Sequence, residues 1–208
     1  AQGTTSKQLV SVAYRKLGNI YHYQSNYEKA IEYYHKALKL AEEAGDLRSI
    51  AHCYNNLGNE YSSLGALTNS KSNYKKALDF HLQAISLFEK TGDYNFLNNS
   101  FLNISAAYRG LDEHEKALDY YFRALETYKK QREANGIELA NINIGETYLE
   151  LAKKTGNANY YLKAEHYFME FYKSHTTSEQ SQRNAHLLVN LGEIRYRQNN
   201  LPEAVHSI

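Results

Sequence analysis

Residues 54–61 read Tyr54-Asn55-Asn56-Leu57-Gly58-Asn59-Glu60-Tyr61, and their pattern returns along the whole chain. The same pattern recurs in residues 14–21, 101–108, 141–148 and 188–195. It consists of a large residue, an apolar residue, a small residue and a long or aromatic residue at fixed spacing. A fixed internal repeat of this kind indicates a repeat architecture. The small residue serves as the marker of each copy: Gly18, Gly58, Ser105, Gly145, Gly192.

A second element with recurring alanines follows each copy of the first. Its clearest version is Tyr27-Glu28-Lys29-Ala30-Ile31-Glu32-Tyr33-Tyr34-His35-Lys36-Ala37-Leu38. Residues 74–85 and 114–125 repeat it, and residues 161–171 and 202–208 are weaker versions. Apolar or small residues three and four apart mark one face of an amphipathic helix. Each pair of elements is therefore predicted to be a helical hairpin.

The combined pattern resembles the tetratricopeptide repeat, with Leu-Gly and Tyr on the first helix and Ala, Tyr or Phe, and Ala on the second. The resemblance runs from about Ser6 to the end of the chain. It implies an all-α fold, a right-handed superhelical solenoid of antiparallel helical hairpins in one domain, residues 1–208. Five hairpins are expected, the last one incomplete, at residues 6–44, 47–91, 94–134, 137–175 and 179–208.

The spacing of the markers predicts two hairpin lengths. The steps between markers are 40, 47, 40 and 47 residues, whereas the basic unit of the family has about 34. Such extended units resemble those of kinesin light chains and of bacterial regulators and sensors. The second and fourth hairpins should have longer helices, with tips near Thr68-Asn69 and Thr155-Gly156. Helix stops are expected around Gly45-Asp46, Thr91-Gly92-Asp93 and Asn135-Gly136, because Gly and Asn end helices readily.

Composition excludes several classes of protein. With 24 Lys+Arg against 23 Asp+Glu, no direct nucleic-acid or membrane partner is indicated. No apolar run approaches the roughly 18 residues needed to cross a bilayer. The lone Cys53 excludes an internal disulfide and favours a small buried side chain. The single proline and 20 tyrosines predict long helices packed through aromatic rings.

Enzyme chemistry has little support in the sequence. The nine histidines are scattered, and there is no HExxH motif, no cysteine pair, no glycine-rich phosphate loop and no GxSxG elbow. The acidic cluster Asp112-Glu113-His114-Glu115 suits the positive end of a helix dipole. We therefore expect no catalytic residue, no metal and no cofactor.

The resemblance implies a concave groove, lined by the first helix of each hairpin, that holds a protein or peptide ligand. Amides can pair with a peptide backbone, and arginine can bind a carboxylate through two hydrogen bonds. The groove should be polar at its N-terminal end, and apolar and acidic at its C-terminal end. The positions carried over are Arg15, Asn19, His22, His52, Asn55, Asn59, Ser62, Asn99, Leu102, Arg109, Ile142, Glu146, Leu149, Val189 and Glu193.

One special ligand class within the family is not favoured. Co-chaperone members clamp a C-terminal carboxylate, and Arg15, Asn19 and Asn56 match the first part of that clamp. The third hairpin has Asn99 and Asn103 where two cationic side chains would be needed. A chaperone-tail receptor is therefore a poor interpretation.

The sequence favours a non-enzymatic binding module, the sensory or regulatory part of a larger bacterial signalling protein. Two alternatives stay open: a free-standing adaptor or scaffold, which could form a homo-oligomer through its terminal repeats, and a cytoplasmic receptor for a signalling peptide. The chain ends about two turns after Pro202, so we expect a piece of a longer protein. The compartment is open, with the cytoplasm favoured over the periplasm.

Overall fold

The computed structural model describes residues 2–173 and 189–197, and these residues form helices joined by short turns, without a strand among them. The predicted all-α fold is confirmed. Residues 189–197 are helical. The preceding helices are α1 (Gln2–Tyr23), α2 (Tyr27–Ala44), α3 (Leu47–Thr68), α4 (Lys71–Thr91), α5 (Tyr94–Gly110), α6 (His114–Gln131), α7 (Ala134–Thr155) and α8 (Ala158–Lys173).

The chain divides into two compact units, unit 1 (Ala1–Tyr120) and unit 2 (Tyr121–Ile208). In unit 1, α1 pairs with α2 and α3 pairs with α4, while α2 also packs on α3 and α4 on α5. The first helices of successive hairpins touch as well, α1 with α3 and α3 with α5. In unit 2, α7 pairs with α8.

Short turns with defined caps separate the helices. The side chains of Asn26, Asp46 and Ser70 accept a hydrogen bond from the backbone N–H three residues later, the usual N-cap arrangement. Gly45 and Gly92 end α2 and α4 in the left-handed conformation, with φ of 67° and 71°. The first two expected helix stops are confirmed.

The third expected stop, at Asn135-Gly136, is wrong. The helix α6 ends at Gln131, Arg132 adopts the left-handed conformation with φ of 56°, and Gly136 lies inside α7. The ring of Tyr128 packs directly on Gly136, where a Cβ atom would collide with it. This glycine therefore serves close helix packing rather than chain reversal.

The predicted difference in hairpin length is confirmed by the helix bounds. Gly18 lies five residues before the end of α1, whereas Gly58 lies ten residues before the end of α3. On the second helices, Ala30 lies three residues after the start of α2, and Ala77 lies six residues after the start of α4. Between the marker and the tip of the hairpin, both helices of the second hairpin are thus longer than those of the first by about one turn, although α1 and α3 each have 22 residues in all. The tip segments of α7 and α8, from Gly145 to Thr155 and from Ala158 to Ala164, have the same lengths as those of α3 and α4.

Three of the marker glycines, Gly18, Gly58 and Gly145, lie where the two helices of a hairpin approach closely. A buried ring from the second helix covers each of these three, so that a Cβ atom at Gly58 would lie 2.5 Å from the nearest ring atom. Each ring lies four residues after the recurring alanine of its helix. The pairs are Gly18 with Tyr34, Gly58 with His81, and Gly145 with Phe168.

The tyrosines repeated on the first helices pack within their own hairpins. Their rings stack on a ring of the second helix, with centroids 5.2 to 5.9 Å apart, and a lysine ammonium lies over each ring. The packing role predicted for tyrosine is confirmed. The stacked pairs are Tyr21–Tyr33, Tyr61–Phe80, Tyr108–Tyr120 and Tyr148–Tyr167.

Candidate functional site

Five asparagines form a hydrogen-bonded row across the first helices of unit 1, and we call this row the asparagine ladder. Asn56 of α3 donates through Nδ2 to Oδ1 of Asn19 on α1, at 3.4 Å. Asn103 of α5 donates to Oδ1 of Asn59 at 2.9 Å and of Asn55 at 3.4 Å. The ladder therefore ties each first helix to the next.

The repeat explains the geometry of the ladder. The donors Asn56 and Asn103 lie two residues before a marker, and the acceptors Asn19 and Asn59 directly follow one. Equivalent positions on neighbouring first helices therefore meet. The next acceptor position holds Ala106, which has no polar side chain. The ladder is consequently a property of unit 1.

The ladder uses amide oxygens and leaves amide N–H groups free. Oδ1 of Asn19 also accepts from the Tyr34 hydroxyl at 2.8 Å. The side-chain N–H groups of Asn19, Asn55 and Asn59 donate to no group in residues 2–173 or 189–197. Asn19 is exposed and the other two are half-buried. The surface thus presents hydrogen-bond donors to a ligand.

A second contact between α1 and α3 joins His22 to Glu60. Nδ1 of His22 lies 2.8 Å from Oε1 of Glu60, whose side chain is 1% exposed. Burial raises the pKa of Glu60, and the nearby His22 imidazole opposes that rise. Burying a carboxylate is costly unless it is paired. His22, expected as a ligand contact, is therefore engaged in holding two hairpins together.

The structure corrects the expectation for His52. Its side chain is only 14% exposed and packs edge-on against Phe96, with ring centroids 4.4 Å apart. Its Nε2 lies 4.0 Å from Oδ2 of Asp93, to which Arg48 donates at 2.7 Å. Burial lowers the pKa of His52, and the positive charge of Arg15 lowers it further. His52 therefore packs between hairpins and is not an open groove residue.

The other expected groove residues of unit 1 differ in accessibility. Leu102 is buried, with 8% exposure, so its expected role as a ligand contact is also corrected. Ser62 is half-buried, and its hydroxyl makes no hydrogen bond to the residues that the structure describes. Arg15 and Arg109 are half-buried, and Asn99 is exposed. These last three remain predictions.

In unit 2 the expected residues differ in how far they are exposed. Ile142 and Glu146 of α7 are half-buried, and Val189 is 68% exposed. Leu149 is 4% exposed, which corrects its expected role as a ligand contact.

Glu193, the last expected site residue, is engaged in ion pairs within unit 2. It pairs with Lys153 at 2.7 Å and with Arg197 at 3.0 Å, and the hydrogen bond from Lys153 lowers its pKa. Much of its negative charge is therefore neutralised.

Sequence reasoning missed the central residue of the ladder. Asn103 is not among the expected groove residues, yet it bonds to two of them. A signal was present, because asparagine recurs two residues before four of the five markers: Asn56, Asn103, Asn143, Asn190. A position repeated with the fold and carrying a polar side chain indicates a contact between repeats.

Metal ligands, membrane spans and the lone cysteine complete the description of possible sites. Within the part of the chain that the structure describes, no three His, Cys, Asp or Glu side chains come together as metal ligands. None of the described helices is both long enough and apolar enough to cross a bilayer. Burial raises the pKa of the Cys53 thiol to about 12, so this residue is a poor nucleophile.

The hairpins define a helical repeat protein, and a match to a sequence model identifies the repeat family. The sequence model of the tetratricopeptide repeat family matches residues 9–69 and 61–130, more than half of the chain. The chain belongs to the tetratricopeptide repeat family. No curated protein matches the sequence significantly.

Solved structures of similar fold include BtubC from P. vanneervenii, with 17% identity and a TM-score of 0.68 over 94% of this chain and 83% of that one. Aspartyl phosphate phosphatase F from Bacillus subtilis has 16% identity and a TM-score of 0.63, covering 92% of this chain and 45% of its own. A signal transduction ATPase with a tetratricopeptide repeat sensor from Pyrococcus horikoshii has 19% identity and a TM-score of 0.61, covering 92% and 27%. The chain thus spans less than half the length of the last two proteins. The fold that it shares with all three is an all-α tetratricopeptide solenoid.

Proposed function

We propose that unit 1 binds an extended peptide segment along α1, α3 and α5, and that the chain is the sensory or regulatory module of a larger bacterial signalling protein. Tetratricopeptide repeats are in general protein-interaction scaffolds without catalytic groups of their own. The asparagine ladder is the single observation that carries the proposal. It places three amides with free N–H groups on adjacent helices, where they can bind main-chain carbonyls without reading side chains.

The regulatory part of the proposal is supported by analogy of fold. One protein of similar fold is named a signal transduction ATPase with a tetratricopeptide repeat sensor, and another is named an aspartyl phosphate phosphatase. Both are longer than this chain, so their activities need not lie in the shared region. An analogy at the level of fold supports a role as a sensor but does not identify the ligand.

The mechanism follows from the way repeats touch. Each repeat of a solenoid contacts mainly its neighbours, so small rotations between hairpins add up along the stack. A peptide that bridges Asn19 on α1 and Asn59 on α3 would restrict the rotation between the first two hairpins. Such a ligand shifts the population of the stack toward the conformation it binds best. An attached output domain would sense that shift.

Selection of peptides tests the proposal. Random twelve-residue peptides displayed on phage are selected on the immobilised chain, and the enriched sequences are synthesised for fluorescence anisotropy. The Asn55→Ala/Asn59→Ala variant should weaken binding at least about tenfold, because each lost hydrogen bond is worth about 1 kcal/mol. Asn143→Ala in unit 2 is the matched control and should leave binding unchanged.

Two results would contradict the proposal. No enrichment of peptides on the intact chain would remove the case for a peptide-binding groove. Equal binding by the double variant, shown to be folded by circular dichroism, would place the site elsewhere. Concentration-dependent self-association that survives in the double variant, seen by sedimentation velocity, would favour the scaffold.

A further inference from the structure

The first helices of unit 1 have a one-sided charge distribution. Glu60 is the single carboxylate residue in the sequences of α1, α3 and α5, and it is buried against His22. The same three helices contain five cationic side chains: Lys7, Arg15, Lys16, Arg48 and Arg109. The formal charge of the whole chain is only +1. Positive charge is therefore concentrated on the helices that carry the ladder.

Two of these cations, Arg15 and Lys16, lie on α1 four and three residues before Asn19 of the ladder and have no carboxylate partner within the described residues. Lys7 pairs with Glu43, and Arg48 pairs with Asp93. Arg15 and Lys16 make no ion pair with any residue that the structure describes. Arg15 lies one helical turn before Asn19, which places both side chains on the same face of α1.

The free hydrogen-bonding groups of the ladder favour the same kind of ligand as the positive charge does. The oxygens of Asn19, Asn55 and Asn59 are used within the ladder. These residues therefore present their side-chain N–H donors to a ligand. Arginine and lysine have donors and no acceptor. A complementary ligand must supply acceptors, and hydrogen bonds from cations are strongest to carboxylates.

We propose that the ladder binds an extended acidic peptide, whose main-chain carbonyls accept from Asn19, Asn55 and Asn59 and whose carboxylates are attracted by Arg15 and Lys16. This ligand class rests on the proposed function of the groove. A basic peptide bound along α1, α3 and α5 would be repelled by Arg15 and Lys16, and the one carboxylate of these helices, Glu60, is buried. A nucleic acid needs many phosphate contacts for affinity, and this face offers two unpaired cations.

Selected peptides test the ligand class directly. In the phage selection described above, Asp and Glu should be enriched over Lys and Arg by at least about twofold relative to the starting library, because charge complementarity steers and selects partners. The affinity of the enriched peptides should fall as salt rises from low to physiological concentration. Enrichment of Lys and Arg would overturn the acidic class and leave peptide binding intact, whereas no enrichment at all would contradict the proposed function itself.

A near-isosteric variant separates the ladder from the ligand. Asn55→Asp/Asn59→Asp keeps the oxygens that accept from Asn103 but replaces the free N–H donors with negative charge. We expect this variant to bind the enriched acidic peptides at least about tenfold more weakly. Gln83→Glu/Ser86→Asp, at two exposed positions of α4, adds the same charge away from the ladder and should change affinity by less than about twofold.

Further outcomes keep the ligand class falsifiable. Lys16→Glu, at an exposed position, should also weaken binding of the acidic peptides, and it provides a second variant if the Asp pair fails to fold. Unchanged affinity in both variants would overturn the proposal. Tighter binding of a twelve-base deoxythymidine strand, in competition with the peptides, would overturn it in favour of nucleic acid.

Discussion

The long hairpins of the two units, α3–α4 and α7–α8, share a frame and differ in the residues that the frame presents. Both α3 and α7 have 22 residues, and both place a glycine ten residues before their last residue. Yet α3 presents Asn55 and Asn59 where α7 has Ile142 and Glu146. Packing positions repeat because every hairpin must bury the same interface, whereas groove positions are free to vary.

The same contrast extends into the core. The ring that covers the marker glycine is His81 in unit 1 and Phe168 in unit 2, and both are fully buried. Neither ring nitrogen of His81 has a hydrogen-bond partner within the described residues. Burial lowers the pKa of His81 to about 3. One unit therefore contains a titratable core residue where the other has an inert one.

The largest expected effect is on the core of unit 2. Phe168→Ala should lower the free energy of unfolding by about 3–5 kcal/mol, because it leaves a cavity in a packed core. His81→Ala should cost at least about 1 kcal/mol less, since it also removes two buried groups without partners. Urea unfolding of both variants measures the difference. Equal losses would mean that the two rings contribute alike.

Acidic pH should lower the stability of the unit 1 core through His81, whereas Phe168 in unit 2 does not titrate. The folded-state pKa of His81 is about 3 and the unfolded value is about 6.5, so the unfolded state binds more protons. The stabilisation present above about pH 6.5 is lost as the pH falls toward 3. The loss already amounts to about 2 kcal/mol at pH 5.

His81→Phe should remove that part of the pH dependence, and it should also stabilise the chain at pH 7 by about 1–3 kcal/mol. Urea unfolding at pH 7 and pH 5 provides the test, with the intact chain as the reference. If the variant kept the full loss of stability at pH 5, titration of His81 would not be its cause.

The ladder should produce a smaller difference between the units. Asn103→Ala removes two hydrogen bonds between α5 and α3 and should cost about 1 kcal/mol. Asn143→Ala removes a bond from Asn143 to the Leu139 carbonyl of its own helix, and the higher helix propensity of alanine should offset it to within about 0.5 kcal/mol. Thermal unfolding ranks the two variants. A larger loss for Asn143→Ala would show that the ladder adds nothing to stability.

Most of the fold could be predicted from the sequence, because its determinants are local and repeated. Helix lengths and the packing of Tyr21 and its counterparts follow from the spacing of the markers. The stop at Asn135-Gly136 failed because a glycine can serve a turn or a close contact, and only the position of Tyr128 decides between them.

The site was less predictable, because its character depends on contacts between hairpins. The resemblance to the repeat family implies that Asn55 and Asn59 face the groove. It could not show that Asn103 occupies their oxygens, or that His52 is packed against Phe96. Such contacts join residues more than 40 positions apart, which a pattern within one repeat does not contain.

The side-chain amides of the asparagines report most directly on peptide binding. In a ¹⁵N-labelled chain, NMR signals of side-chain NH₂ groups can be followed while an enriched acidic peptide is added. The signals of Asn19, Asn55 and Asn59 should shift, and those of Asn141 and Asn143 in unit 2 should stay in place. Shifts confined to unit 2, with the ladder signals unchanged at saturation, would contradict a binding surface on unit 1.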